Sequence, residues 1–468
     1  MSTSLKKRFV VAAFAGAMAG FHAPAAQAQT PPPAPASAPA PALTRARTQQ
    51  FEYGLTAGYG HSDNVFRRAA DEISSDILTA GLELNWLEDR TRIEADVRAD
   101  LDYNHYLDVD ESFDVDNQVT GNANGHVTLG IIPEHFTWRI EDSFGQTQQD
   151  PLVPATPESL ESTNYFTTGP DFTMLMGSSN LLRLSGRYSA TTYETSPFDS
   201  TRAGGALTFL RQMSDRSSLS FIVDADDVDY DDAASVDFTS ESASVNYTLE
   251  AARTDIDATL GYSRMDIDDG SEKTGPLVDI EIQRQVSNSS RLNLQFGTRL
   301  SDSAEALRDS LNSEEFGGGN GSGDGSGDGS GVVATASTFE SKFASLGWQF
   351  DRPRTSFDIS AGWDKDVYDS VDNLDRERLL FEAGAERHLT SRLEARLRVA
   401  YNQETYQIDD SETEEWRLTL GGSWRFGRDT GVELWGERLK RDSNTTAGGG
   451  NSIENRIFLT FFYRPAAR

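Results

Sequence analysis

The sequence predicts an all-β chain: a transmembrane, antiparallel, up-and-down β-barrel of roughly 16 to 20 strands, with 20 the best count. Three observations predict it. From Phe51 onward apolar and polar residues alternate with a period of two, which is the pattern of strands with one apolar and one polar face. The alternating runs extend over roughly 10 to 16 residues, well beyond the usual strand of a globular protein. The polar faces carry too much charge for the interior of a β-sandwich and need water, and only a closed barrel satisfies every backbone group of a sheet inside lipid.

Composition narrows the alternatives. The 468 residues include 42 Lys+Arg and 74 Asp+Glu, a net charge of -32 that disfavours a phosphate backbone, so no nucleic acid partner is expected. The absence of cysteine removes disulfides, thiolate catalysis and Cys-ligated metals. A mean hydropathy of -0.51 excludes a polytopic helical membrane protein. The 25 Phe, 14 Tyr and 7 Trp are too many for an acidic disordered chain.

Taken in order, residues 1–28 read as a secretory signal peptide: basic Lys6, Lys7 and Arg8, an apolar run from Phe9 to Phe21, and Ala26-Gln27-Ala28 before a cleavage site at Gln29. Its removal takes three positive charges and leaves -35. The Pro/Ala-rich stretch 29–50 favours polyproline II and reads as a periplasmic linker. The barrel is expected over 51–464, followed by a short tail, 465–468. Within it, Ile93, Ala95, Val97, Ala99, Leu101 and Tyr103 oppose Arg92, Glu94, Asp96, Arg98, Asp100 and Asp102. Leu393, Ala395, Leu397 and Val399 oppose Glu394, Arg396 and Arg398, and Trp416, Leu418, Leu420 and Trp424 oppose Arg417, Thr419 and Arg425.

Nine short turns, near 88–90, 132–134, 177–179, 214–216, 252–254, 288–290, 351–353, 390–392 and 427–429, alternate with ten longer loops, which places both chain ends on the short-turn, periplasmic side. Gly125 and Pro170 interrupt the pattern in 113–130 and 162–176. The last strand alternates Ile457, Leu459, Phe461 and Tyr463, as outer-membrane barrels read by the assembly machinery do, but Arg464 to Arg468 follow the final aromatic. Trp86, Tyr103, Tyr106, Tyr193, Trp348, Tyr368, Tyr406 and Trp424 lie near strand ends, where they suit interfacial aromatic girdles.

Arg92, Glu94, Asp96, Arg98, Asp100, Arg396, Arg398, Arg417 and Arg425 are the candidate lumen-lining residues, tuning solute selectivity or pairing with acids across strands. Acidic clusters at Asp108 to Glu111, Asp224 to Asp232, Asp266 to Asp269 and Asp409 to Glu412 are expected in outer loops, either simply solvated or bridging divalent cations to lipopolysaccharide phosphates. The long loop 302–336 contains the Gly/Ser-rich run Gly317 to Gly331. Asp324 and Asp328 there lack the apolar residue per repeat that calcium β-rolls need, so a flexible loop is expected. Ala304 to Glu315 reads as a short helix that would fold this loop back towards a pore. The mature histidines His61, His105, His126, His135 and His388 fall in no nucleophile or zinc spacing, so no catalytic residue, metal or cofactor is expected.

The first hairpin runs Tyr59-Gly60-His61-Ser62-Asp63-Asn64-Val65-Phe66-Arg67. A first strand followed by such an Asp-Asn-Val-Phe-Arg loop (Asp63, Asn64, Val65, Phe66, Arg67) resembles the beta-barrel porin type two family. Some of its members are encoded in exopolysaccharide gene clusters. The resemblance implies a porin-like, water-filled pore in the Gram-negative outer membrane, serving polysaccharide or small-solute passage. The implied partners are outer-membrane lipid and lipopolysaccharide, the barrel assembly machinery, and polysaccharide export components. The alternative is a non-conducting structural or adhesion barrel that anchors a periplasmic partner through its Pro/Ala segment.

Overall fold

The computed structural model describes residues 49–107, 109, 117–312, 331–369, 374–407, 411–444 and 450–465. The signal peptide, nearly all of the linker, Asp108, Asp110, Glu111, Asp324, Asp328, Asp409, Asp410 and the tail end 466–468 lie outside these residues.

Twenty strands form one sheet. They are β1 Gln49–Ser62, β2 Ser75–Arg90, β3 Ile93–Tyr106, β4 Asn117–Ile132, β5 Phe136–Gln148, β6 Leu160–Met176, β7 Asn180–Tyr193, β8 Ser200–Ser214, β9 Ser217–Tyr230 and β10 Phe238–Glu250. The second half comprises β11 Thr254–Ile267, β12 Glu272–Ser287, β13 Ser290–Ser301, β14 Phe339–Arg352, β15 Thr355–Tyr368, β16 Arg376–His388, β17 Leu393–Tyr406, β18 Ser411–Arg425, β19 Thr430–Ser443 and β20 Ser452–Tyr463. Among the described residues, one helix, α1 Ser303–Asn312, follows β13. Each strand pairs antiparallel with its sequence neighbours, and β1 pairs with β20, so the sheet closes as an up-and-down barrel. No helix among the described residues is long and apolar enough to cross a membrane.

The alternation keeps its phase around the ring. Leu55 pairs with Leu82 and Leu82 with Leu101; Leu397 pairs with Leu420, Leu434 with Leu459, and Leu459 with Tyr59. Because a one-residue slip would turn a strand's apolar set to the other face, this continuity defines a single apolar exterior. Its side chains are widely accessible: Leu184 is 55% exposed, Leu260 55% and Leu420 63%. In water such a belt would be a large liability.

The two interrupted strands form because side chains and a glycine accommodate the breaks. At Gly121 in β4, φ is +98° and a Cβ would sit 2.0 Å from the Asp100 carbonyl oxygen, so only glycine passes there. At Pro170 in β6, which has no N–H to donate, Arg187 from β7 donates to the carbonyls of Pro170 (3.2 Å) and Gly186 (2.8 Å) and pairs with Asp171 (2.7 Å).

The closing seam is short. β1 and β20 share eight residue pairs, against fourteen between β1 and β2. The loop after β1 adds to it. Asp63 accepts from the Asn455 backbone N–H and side-chain amide, both at 2.7 Å, and Asn64 Nδ2 donates to the carbonyls of Ile453 (3.1 Å) and Arg68 (2.8 Å). Ser62 Oγ donates to Glu454 at 2.6 Å, and Arg67 Nε donates to the other oxygen of Glu454 at 3.1 Å. Arg67 takes a positive φ of 49°, an uncommon conformation for arginine, and that places its guanidinium in this buried network. Val65 and Phe66 pack with Ile77, Tyr106, Trp435 and Phe458 in the main apolar cluster. All five motif residues are thus engaged in holding the seam and the first loop.

Candidate functional site

The position of α1 identifies the lumen. Asp302 caps its start, accepting from the N–H groups of Ala304 (2.9 Å) and Glu305 (3.2 Å), with Glu305 acidic in the first turn. Asn124 of β4 donates to the Leu311 carbonyl (2.6 Å), the Arg308 guanidinium lies 5.7 Å over the Tyr165 ring of β6, Arg202 of β8 pairs with Glu305 (2.6 Å) and contacts Asp302, and Arg299 of β13 pairs with Asp309 (2.7 Å). Strands β4 and β13 stand nine apart in a ring of twenty, so a helix touching both lies inside it. Every contacting wall residue is on the face opposite the apolar exterior, which makes that face the lumen wall.

Electrostatics and burial hold the helix. Leu307 is fully buried and Ala304 and Leu311 nearly so. Burial pushes the Asp302 carboxyl up, and Arg202 opposes this without reversing it. For Glu305 burial also raises, but Arg202, Arg308 and Arg299 outweigh it and hold the carboxyl below its ordinary range.

Other loops also turn inward at the long-loop end. Gln118 of β4 donates to the Pro157 carbonyl (3.4 Å), and Arg441 of β19 donates to the Leu152 carbonyl (3.2 Å), so the β5–β6 loop spans from β4 to β19 over the lumen. Residues Val332 to Ala334 bond along Gln148 at the end of β5. These loops rest on a collar of inward aromatics. Tyr106, Tyr193, Tyr368 and Tyr406, expected in an outer girdle, are 8%, 7%, 5% and 1% exposed and share the lumen register, because their strand positions have the parity of the charged face. Tyr103, Trp348 and Trp424 do face outward and are exposed.

The lumen wall changes character around the ring. On β9 to β12 it carries Asp224, Asp226, Asp255, Asp257, Asp279 and Glu281, with Lys273 near the long-loop end. Four of them accept hydrogen bonds from neutral groups: Ser242 donates to Asp224 (2.7 Å), Asn246 to Asp257 (2.6 Å), Gln295 to Asp279 (3.2 Å) and Gln283 to Glu281 (2.7 Å). Asp257 and Glu281 stand directly opposite one another. On β15 to β20 acids and arginines interleave. Arg376 pairs with Asp366 (2.7 Å), Arg378 with Asp364 (2.8 Å), Arg396 with Glu394 (2.8 Å) and Glu433 (2.9 Å), Arg417 with Glu415 (3.5 Å) and Glu437 (3.7 Å), and Arg456 with Glu454 (2.6 Å).

The candidate lining residues distribute accordingly. Glu94, Asp96, Arg98 and Asp100 lie on the inward register of β3, with Arg98 3.5 Å from Asp96. Arg396, Arg398, Arg417 and Arg425 lie on that of β17 and β18, Arg425 at the short-turn end. Arg92 sits in the two-residue turn before β3, exposed, and not on a strand face, because β2 extends to Arg90. The acidic cluster Asp224 to Asp232 is also relocated: β9 continues to Tyr230, so Asp224 and Asp226 line the lumen and only Asp231 and Asp232 lie in the loop. The inward collar, α1's arginine partners and Glu454 were not identified from the sequence. For the collar tyrosines, Arg299 and Glu454 the signal available was parity, since each lies an even number of residues from a charged residue on the inward face of its own strand; Arg202 has no such neighbour on β8.

No family model matches the chain, and no curated protein matches it. Among solved structures it is similar to the FrpB iron transporter from Neisseria meningitidis (F3-3 variant), at 8% identity and a TM-score of 0.47 over 89% of this chain and 82% of that one. It is also similar to the siderophore receptor PirA from Pseudomonas aeruginosa (11%, 0.41, 90% and 81%) and to OccAB4 from Acinetobacter baumannii (10%, 0.36, 90% and 100%). At these values the likeness carries no functional argument; the barrel rests on its own strand pairing.

Proposed function

We propose that this chain is a Gram-negative outer-membrane barrel that passes small hydrophilic solutes, favouring cations, through a lumen narrowed by α1. The observation that carries the reading is the single apolar exterior closed around a charged interior: the outside suits lipid and the inside suits water. The signal-peptide pattern and the short turns at the end where both chain termini lie support export and this orientation. The acid-rich β9–β12 wall supports the preference for cations. Polysaccharide passage rests on the resemblance of Tyr59 to Arg67, and a helix lying in the lumen favours small solutes over a polymer. In this reading the long loops meet lipopolysaccharide, the assembly machinery inserts the barrel, and no catalytic step is assigned to it.

The inward loops also favour a second reading, a non-conducting structural barrel. Planar-bilayer recordings of the mature protein separate the two. Stable open steps, larger after deletion of residues 304–331, support the channel. A folded barrel silent both with and without that segment supports the structural role.

A further inference from the structure

We propose that Glu386, His388 and Glu394 bind a divalent transition-metal ion, with Zn2+ the best match, at the short-turn mouth of the lumen. This stands independently of whether the pore conducts.

His388 and Glu394 are the last cross-strand pair of the β16–β17 hairpin, and Glu386 lies two residues before His388 on the same inward register. One ligand atom from each lies within 4.8 Å of the other two. His388 Nδ1 is 3.1 Å from Glu394 Oε2, and His388 Nε2 is 3.8 Å from Glu386 Oε1. Those two contacts use different imidazole nitrogens, of which one ion takes a single one; an ion held at about 2.1 Å by tetrahedral N and O donors needs them roughly 3.4 Å apart, so the three donors must draw together by side-chain rotation around one nitrogen.

Arg396 orients the carboxylates. It takes Glu394 through Oε1 (2.8 Å) and Glu386 through Oε2 (3.8 Å), leaving in each case the oxygen that faces the imidazole. This is the supporting arrangement expected behind metal ligands. Charge points the same way. Arg396 also pairs with Glu433 (2.9 Å), so one guanidinium serves three carboxylates; nearby Arg464 is engaged by Glu83 at 2.5 Å. The two negative charges left over are what a divalent cation would neutralise. Glu394 is buried, whereas Glu386 and His388 are 40% and 48% exposed on their side chains, which leaves an entry path and room for water ligands. The imidazole favours Zn2+ over Ca2+ or Mg2+, which prefer all-oxygen sites.

The test is Zn2+ titration of the full mature barrel in detergent micelles by calorimetry, with Co2+ as a spectroscopic probe. The expected result is one saturable site weakened about tenfold or more in His388→Ala and in Glu394→Gln, and unchanged in His61→Ala, whose imidazole lies elsewhere beside Asp76. Wild-type Co2+ spectra should show nitrogen and oxygen ligation in tetrahedral or five-coordinate geometry. Heat-modifiable migration of each variant reports folding, and if His388→Ala fails to fold, Glu386→Gln replaces it. Absence of saturable binding to the wild type, or binding undiminished in the folded ligand variants, overturns the site.

Discussion

The two sides of the lumen wall solve the same problem differently. On β15 to β20 nearly every carboxylate has a guanidinium within reach, and buried Glu454 holds Arg456, Arg67 and Ser62 together. On β9 to β12 the carboxylates lean on serine, asparagine and glutamine, and Asp257 faces Glu281 without a cation between them in the pairing. Paired charges cancel and fasten strands together; amide-supported carboxylates remain as net negative field. The first wall reads as mechanical, the second as functional, and removing the same kind of group should have opposite consequences on the two.

The largest effect is expected at the mechanical wall. Glu454→Ala strands Arg456 and Arg67 in a buried setting and should cost about 3 to 5 kcal/mol, measured as a fall in the unfolding midpoint in detergent. A change under roughly 1 kcal/mol would end the claim that this wall holds the seam. Next is α1. Arg202→Ala removes the cation that Asp302 and Glu305 share, and single-channel conductance should rise by about twofold or more as the helix leaves the lumen. The functional wall is tested by replacing Asp224, Asp257 and Asp279 with Asn and Glu281 with Gln together. In a tenfold salt gradient the reversal potential should move by roughly 20 mV away from the cation limit, which is about 59 mV for ideal selectivity. Removing Glu415 and Arg417 together, a neutral loss on the other wall, should move it far less; equal shifts would erase the distinction. The smallest effect is a gain: Asp257→Asn relieves a like-charge pair and should stabilise the barrel by about 0.2 to 1 kcal/mol, where Glu454→Ala destabilises it.

Barrel, strand number and the placement of turns were legible because a two-residue period survives wherever one face meets lipid and the other water. The helix was legible as a short one beginning at Ala304, but its Asp302 cap was not read. What the sequence concealed was long-range. Nothing local tells that Arg202 meets Asp302, or that Glu454 meets Arg67, because those contacts follow from ring closure. The tyrosines at strand ends misled for a similar reason: an aromatic at a strand terminus suits lipid headgroups or a folded-in loop equally, and only its parity against neighbouring charges separates the two. The proposed grouping of Glu386, His388 and Glu394 matches no linear metal motif because a hairpin turn separates Glu394 from the other two.

The residue that follows the final strand has a use of its own. Arg464 reaches past β1 to Glu83 on β2, with contacts of 2.6 and 2.5 Å, and it crosses at Gly54, where a Cβ would stand 2.5 Å from the Glu83 carboxylate. The ring is therefore tied at both rims, by the first loop at one and by Arg464 at the other. Fusions made directly after Tyr463, or a bulkier residue at position 54, would leave that rim held by the β1–β20 ladder alone.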